Sequence, residues 1–289
     1  MRKSLLLVAV LGTLASHVAF ADDAAAPAAA APTPTWTFPT TISVVSDYIW
    51  HGQSQTWGNP AAQFGVEADH ASGLYAGFWA SNVSGAWLPN ASLETDWSVG
   101  YRGAFATDFK YDVGGVYIYY PNGNWNKVAG YTNPSSKLDT AELYANLGWK
   151  WLNFKVGYEP TKFYGWDSVN SGLGGGFPGD LSAGIKAGKK SEDSYYYVLS
   201  GSYDVPQLAG INVAGEVGRH SIGGAANLDW TWFKAGVTKT FDGGWSVNAF
   251  YTATAGTDAY KNYQSLSSTV ADSYSIDKSK VVVGVSKAF

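Results

Sequence analysis

Residues 93–105 have the sequence Leu-Glu-Thr-Asp-Trp-Ser-Val-Gly-Tyr-Arg-Gly-Ala-Phe, in which apolar and polar side chains alternate. Successive side chains of a β-strand point to opposite faces, so this period of two predicts a strand. A soluble β-sandwich and a membrane barrel both contain such strands, and the connections between strands must distinguish them. The apolar face carries Leu93, Thr95, Trp97, Val99, Tyr101 and Phe105, and the polar face carries Glu94, Asp96, Ser98, Gly100 and Arg102.

The connections between the predicted strands alternate in length. Short turns such as 71–73 and 242–244 alternate with long loops such as 121–137 and 161–193. This pattern is typical of bacterial outer-membrane barrels, whose even strand number leaves both termini in the periplasm. We therefore predict an all-β, transmembrane, antiparallel up-and-down β-barrel of about twelve strands, with both termini periplasmic. The predicted strands lie near 41–51, 61–70, 74–83, 92–105, 109–120, 138–149, 152–160, 194–205, 211–220, 228–241, 245–255 and 276–289.

Aromatic residues and the C-terminus support a membrane barrel. Amphipathic rings favour the membrane–water interface, and aromatic residues flank three short turns. The chain ends in apolar residues that alternate up to a terminal aromatic, Phe289. This ending looks like the C-terminal signal of outer-membrane proteins, so the barrel-assembly machinery is a predicted partner through Phe289. The flanking pairs are Phe105 and Phe109, Trp149 and Trp151, and Phe241 and Trp245.

Composition excludes several function classes. The 289 residues carry a formal net charge of −4 and no cysteine, and only 15% are charged, against roughly 25% in an average soluble domain. The charge argues against nucleic acid as a partner. The lack of cysteine excludes disulfides, cysteine-ligated zinc and a thiol nucleophile. The sequence has no stretch of about 18 consecutive apolar residues, so no transmembrane helix is predicted.

The N-terminus predicts export from the cytoplasm. Arg2 and Lys3 precede an apolar segment at 5–14, and Ala19-Phe20-Ala21 forms a small-x-small cleavage site. The repeated prolines of the next segment disfavour a helix and predict a linker. The predicted organisation is a signal peptide at 1–21, an Ala/Pro-rich linker at 22–39 and an outer-membrane barrel at 40–289.

One motif carries a family resemblance. Residues 46–56, Ser-Asp-Tyr-Ile-Trp-His-Gly-Gln-Ser-Gln-Thr, resemble the opening motif of the TorF porin family of proteobacterial outer-membrane proteins. The similarity continues through 72–83 and extends to the C-terminus. The family usually has Arg where this chain has His51. The resemblance implies an outer-membrane barrel and a pore, and it supplies no established substrate or functional residue.

The charged faces of the strands are expected to line the barrel interior. We predict passive diffusion of ions and small hydrophilic solutes through a narrow, mildly cation-preferring lumen. The same charges also fit salt-bridged packing that closes the lumen. Loop 161–193, with Gly172, Gly174, Gly175, Gly176 and Gly179, either folds inward as a constriction or outward. The pore-lining candidates are Asp47, His51, Glu67, Asp69, Glu94, Asp96, Arg102, Lys110, Asp112, Glu142, Lys155, Glu159, Glu216 and Lys234.

Two other functions remain open. A barrel enzyme of the lipase or protease kind needs a histidine beside a serine or an acid, and Asp47 with His51 is the best pair available. Hydrogen bonding in the lumen is the favoured role of that pair, so we predict no catalytic residue. A plugged structural or adhesion barrel would contact partners through the loop residues Trp87, Trp125, Tyr131 and Tyr260.

No metal or cofactor site is predicted. Residues two apart on a strand lie about 6.6–6.8 Å apart, so the strand carboxylates form a loose patch rather than the tight cage of six to eight oxygens that calcium requires. Outer-membrane lipid and small hydrophilic solutes are the other predicted partners, and the oligomeric state is left open.

Overall fold

The computed structural model describes residues 35–128, 132, 134–172, 184–267, 269 and 272–289. The predicted signal peptide and most of the predicted linker lie outside the described residues. The end of the linker range is described, and Trp36–Thr37 pairs there with Asp69 and His70. The chain is therefore attached to the barrel wall before the first long strand begins.

Twelve long strands of the described residues close into one barrel. Each pairs antiparallel with its successor, and the twelfth pairs with the first. The predicted all-β, antiparallel up-and-down barrel is confirmed. Among the described residues, no helix has the length and apolarity to cross a membrane. The strands are β1 Thr40–Val45, β2 Ala61–His70, β3 Leu74–Asn82, β4 Leu93–Ala106, β5 Phe109–Tyr119, β6 Thr140–Trp149, β7 Leu152–Glu159, β8 Ser194–Asp204, β9 Ile211–Ser221, β10 Trp230–Thr240, β11 Trp245–Ala255 and β12 Lys280–Ala288.

Alternation along the strands separates the inner wall from the outer wall. On β6 the even-numbered positions Thr140, Glu142 and Tyr144 are buried, while Leu143 and Leu147 are exposed on the outside. The outer surface is a continuous apolar belt, because the other strands repeat this pattern. The belt includes Val44, Trp97, Val99, Phe154, Leu199, Val217, Phe233, Val237, Val283 and Val285.

Inward aromatic rings lie flat on the wall because glycine occupies the neighbouring strand. A Cβ added to Gly157 on β7 would stand 2.2 Å from the Tyr196 ring, and one added to Gly218 on β9 would stand 2.2 Å from the Trp232 ring. No side chain fits these gaps. The glycines allow large rings to cover the inner wall of the barrel.

The two ends of the barrel differ. At one end, the short-turn end, aromatic rings surround the turns on the outer face. Phe105 and Phe109 stack with centroids 5.3 Å apart, and Phe109 lies 6.4 Å from Trp149. Trp151 is also exposed there. The other end, the long-loop end, is covered by loops that pack over the barrel mouth.

The first strand is shorter than predicted. It ends at Val45, and Ile49–Trp50 pairs with Gln53–Ser54 in a separate two-residue hairpin. His51 and Gly52 form its turn with φ angles of +45° and +81°. Residues 46–59, here called the plug hairpin, fold into the barrel at the long-loop end, where most of their side chains are buried.

Candidate functional site

The predicted pore-lining residues all face the barrel interior. Twelve of the fourteen lie on strands, at positions that alternate with the outer belt, and Asp47 and His51 lie on the plug hairpin. Many of them are buried, so the interior is packed around them. The strand residues are Glu67, Asp69, Glu94, Asp96, Arg102, Lys110, Asp112, Glu142, Lys155, Glu159, Glu216 and Lys234.

Asp47 attaches the plug hairpin to the barrel wall. Its Oδ2 lies 2.6 Å from Nζ of Lys280 on β12. Its Oδ1 accepts hydrogen bonds from the hydroxyls of Ser54, at 2.7 Å, and Thr56, at 2.8 Å. Asp47 thus joins both arms of the hairpin to one strand. It does not pair with His51, which has different partners.

His51 meets His220 inside the barrel. Their Nδ1 atoms lie 3.5 Å apart, and Nε2 of His220 lies 3.3 Å from Oε2 of Glu159. The His51 ring is stacked between Trp50, at 3.8 Å, and Trp232, at 4.1 Å. The side chains of His51, His220 and Glu159 are buried, so water does not replace their contacts with one another.

The surroundings of His51 disfavour its charged form. Burial lowers the pKa of His51 well below its usual value, and the nearby His220, Lys155 and Lys234 lower it further. A buried imidazolium without a counter-charge would lose hydration and face positive neighbours. His51 is therefore neutral while the plug hairpin occupies the lumen.

Aromatic residues of the loops and of the first position of β10 pack over the plug hairpin. Nε1 of Trp230 donates to the backbone oxygen of His51 at 2.7 Å, and Nε1 of Trp125 donates to that of Tyr164 at 2.7 Å. Trp87, Trp125 and Tyr260 are each 1% exposed. These three, named above as contacts for an adhesion barrel, serve packing instead. Tyr131 lies outside the described residues.

Loop 161–193 contacts the plug hairpin near the start of the loop. Phe163, Tyr164 and Trp166 are buried, and the Tyr164 hydroxyl donates to Gln55 of the plug hairpin at 3.2 Å. Of the glycines in this loop, Gly174, Gly175, Gly176 and Gly179 lie outside the described residues. The described part of the loop supports the plug hairpin, which is the element that fills the lumen.

Tyrosine hydroxyls donate hydrogen bonds to some of the buried carboxylates. Glu94 accepts hydrogen bonds from Tyr48 at 2.7 Å and Tyr120 at 2.5 Å. Glu142 accepts one from Tyr196 at 2.6 Å, and Nζ of Lys155 lies 3.2 Å from it. The pair formed by Glu142 and Lys155 and the buried ionisable residues in and around the plug hairpin are together called the plug cluster. The plug cluster is Asp47, His51, Glu142, Lys155, Glu159 and His220.

A second charged group lies nearer the short-turn end. Nη2 of Arg102 lies 2.6 Å from Oε1 of Glu67 and 3.8 Å from Oδ1 of Asp69. The guanidinium also lies 3.9 Å from the centre of the Tyr75 ring. The side chains of Glu67 and Asp69 are 21% and 29% exposed, so water reaches this group. Glu67, Asp69 and Arg102 are called the vestibule cluster below.

Two buried ionisable side chains have no hydrogen-bond partner among the described residues. Both carboxylate oxygens of Asp96 are unpaired, and so is Nζ of Lys234, which lies 4.6 Å from the centre of the Phe250 ring. The described residues contain no group of three or more His, Cys, Asp or Glu side chains that could hold a metal ion.

The chain matches one family model. Residues 29–289 match the model described as "Bacterial protein of unknown function (Gcw_chp)". The chain belongs to the Gcw_chp family. The TorF name stays a prediction, because the description of Gcw_chp does not include it. A search of curated proteins finds no match.

Two solved barrels resemble this Gcw_chp protein in architecture. A KdgM porin is 9% identical with a TM-score of 0.48, and the match covers 87% of this chain and 99% of the porin. An outer-membrane channel from Pseudomonas putida F1 is 15% identical with a TM-score of 0.45, and the match covers 92% of this chain and 100% of the channel. The function is therefore argued from this chain's own residues.

The plug hairpin differs from the strand predicted over residues 41–51. After Val45 the alternation stops, since Tyr48, Ile49 and Trp50 are three consecutive large apolar residues followed by His51 and Gly52. This end of the alternation is the feature of the sequence that indicates the hairpin. A first strand extended to residue 51 puts His51 at the same end of the barrel as His220 but on strand one rather than strand nine, whereas the inward turn brings the two imidazoles together.

Proposed function

We propose that this protein is an outer-membrane channel that allows passive diffusion of ions and small hydrophilic solutes through a narrow, cation-preferring lumen. The observation that carries the proposal is the charged interior. The fourteen candidate residues include nine carboxylates but only four lysines and arginines. Where these carboxylates are ionised, their excess attracts cations and repels anions.

The outer belt supports insertion into a membrane. Val99 on β4 is 63% exposed, and Leu143 on β6 is 56% exposed. A soluble protein rarely exposes an apolar surface that encircles it, whereas lipid solvates such a belt. With the predicted signal peptide, this belt favours the bacterial outer membrane. The short-turn end would then face the periplasm, and Phe289 would be the residue that the barrel-assembly machinery recognises.

The plug hairpin gives this channel a closed state. Its side chains fill the long-loop end, and its attachments are an ion pair, hydrogen bonds and ring stacking rather than a continuous sheet. Among the described residues, the two-residue strands of the hairpin form a strand ladder only with each other. We therefore propose that conduction requires the hairpin to leave the lumen, at least in part.

Single-channel recording in a planar bilayer tests this function. The refolded wild-type protein is compared with a variant in which residues 48–57 are replaced by a short Gly-Ser turn. We expect conductance that rises several-fold in the variant, because the barrel wall remains while the obstruction is gone. A matched control shortens the exposed turn at 206–209, which touches no part of the plug hairpin, and its conductance should equal that of the wild type.

One result would contradict the channel. If both the wild type and the hairpin variant are folded, as judged by heat-modifiable migration on gels, yet neither conducts, the interior is packed shut without the hairpin. The buried plug cluster would then favour a closed structural barrel.

A further inference from the structure

We propose that Asp96 binds a monovalent cation inside the barrel and is the main determinant of cation preference. This inference rests on the proposed channel function. It identifies one carboxylate among many, and that choice depends on what the other carboxylates already contact.

Asp96 differs from its buried neighbours in having no partner. It is 1% exposed, and neither oxygen accepts a hydrogen bond from any described residue. No described lysine, arginine or histidine lies within ion-pair distance of it. Glu94 on the same strand receives two tyrosine hydroxyls, and Glu142 receives one tyrosine and one lysine.

A buried carboxylate without a protein partner either takes up a proton or binds an external cation. Removing an ionised carboxylate from water costs several kcal/mol unless a counter-charge or hydrogen bonds replace the lost hydration. Glu94, also inward, lies two positions along β4 and adds negative potential at the same place. The lumen of a channel supplies the missing charge as a permeating cation.

The position of Asp96 fits a permeation pathway. The register pairs Asp96 with Trp79 on β3 and Ile118 on β5. Glu94, toward the long-loop end, is covered by Tyr48 of the plug hairpin. Toward the short-turn end, Ser98 lies opposite Gly77 on β3 in the strand register. Gly77 in turn lies opposite Glu67 on β2, which belongs to the vestibule cluster. A cation moving inward from the vestibule cluster therefore meets Asp96 before the plug hairpin.

The ligand class is a monovalent ion. Divalent metals require several protein ligands, and the described residues provide no group of three that could hold one. A single carboxylate binds an alkali-metal ion weakly enough for it to leave, which conduction requires. Lys234 lies on β10, and its unpaired ammonium group repels a cation. A cation is therefore expected to bind at Asp96 on β4 rather than on the part of the wall that β10 forms.

Reversal potentials in a KCl gradient test the role in selectivity. We expect Asp96→Asn to lower the K⁺/Cl⁻ permeability ratio several-fold and Asp96→Glu to retain most of the preference. The control Asp108→Asn makes the same change of charge in an exposed short turn, where Asp108 lies 3.8 Å from Lys150. That control should leave the ratio at the wild-type value.

A binding measurement separates this inference from the channel itself. Crystals of the wild type and of Asp96→Asn are soaked in thallium(I), and anomalous scattering locates the ion. Thallium beside Asp96 in the wild type alone supports the inference, even if conductance is absent and the proposed function fails. If the wild type conducts, folded Asp96→Asn keeps the same permeability ratio and no thallium lies at Asp96, the inference is overturned while the channel stands.

Discussion

The plug cluster and the vestibule cluster use similar ion pairs in different surroundings. In the plug cluster, Lys155 and Glu142 lie 3.2 Å apart with side chains 10% and 2% exposed. In the vestibule cluster, Arg102 and Glu67 lie 2.6 Å apart, and both side chains are 21% exposed. The pair with the shorter N–O distance is therefore the one with the greater solvent exposure. Burial, more than distance, determines what each pair does for stability, because only a buried charge depends wholly on its protein partner.

The largest expected difference between the clusters is in stability. Lys155→Met leaves Glu142 buried without its counter-charge, so we expect the free energy of unfolding to fall by about 3–5 kcal/mol. Arg102→Met leaves its carboxylates in contact with water, and we expect a loss of about 1 kcal/mol. Urea titration of both variants in the same lipid vesicles measures the difference. Equal losses would mean that water reaches both clusters alike.

Acid should release the plug hairpin. Because burial lowers the pKa of His51 while the hairpin is in the lumen, only the displaced hairpin takes up a proton as the pH falls below about 6.5. The lumen-bound state is therefore fully stable above that pH, and each further unit of acid weakens it by about 1.4 kcal/mol. We expect channel opening to rise between pH 8 and 5.

The matched control for the pH effect is His51→Gln, which keeps a polar side chain but does not titrate. Its open probability should vary much less with pH than that of the wild type. The same slope in both proteins would show that another group controls the hairpin. Glu159, His220, Lys155 and Lys234 are the charged and titratable groups nearest His51 on the surrounding wall.

The smallest expected effect concerns the vestibule cluster. Asp69→Asn removes one partly exposed charge, and we expect conductance at low salt to fall by less than half. The effect should vanish in 1 M KCl, where the screening length is only about 3 Å, against about 10 Å at 0.1 M. The change caused by Asp96→Asn should persist at high salt, because a buried charge is poorly screened. Single-channel currents at both salt concentrations distinguish the two.

The inner and outer faces of the wall could be predicted from the sequence, because strand alternation is a local property. Lys234, on a strand with apolar residues on both faces, was still expected inside, and the structure places it there. The plug hairpin could not be predicted in this way. The contact between His51 and His220 joins residues 169 apart in sequence and depends on a turn that breaks the alternation.

Closure of the barrel has a consequence for the order of assembly. β1 pairs with β12, and the backbone nitrogen of Phe289 donates to the oxygen of Thr40 at 3.0 Å. This seam joins the two ends of the described barrel, so it forms only when the last strand has arrived. Until then β1 has one open edge, which invites pairing with other chains. We therefore expect the seam to form late and slowly, and a chain lacking β12 to aggregate rather than form a smaller barrel.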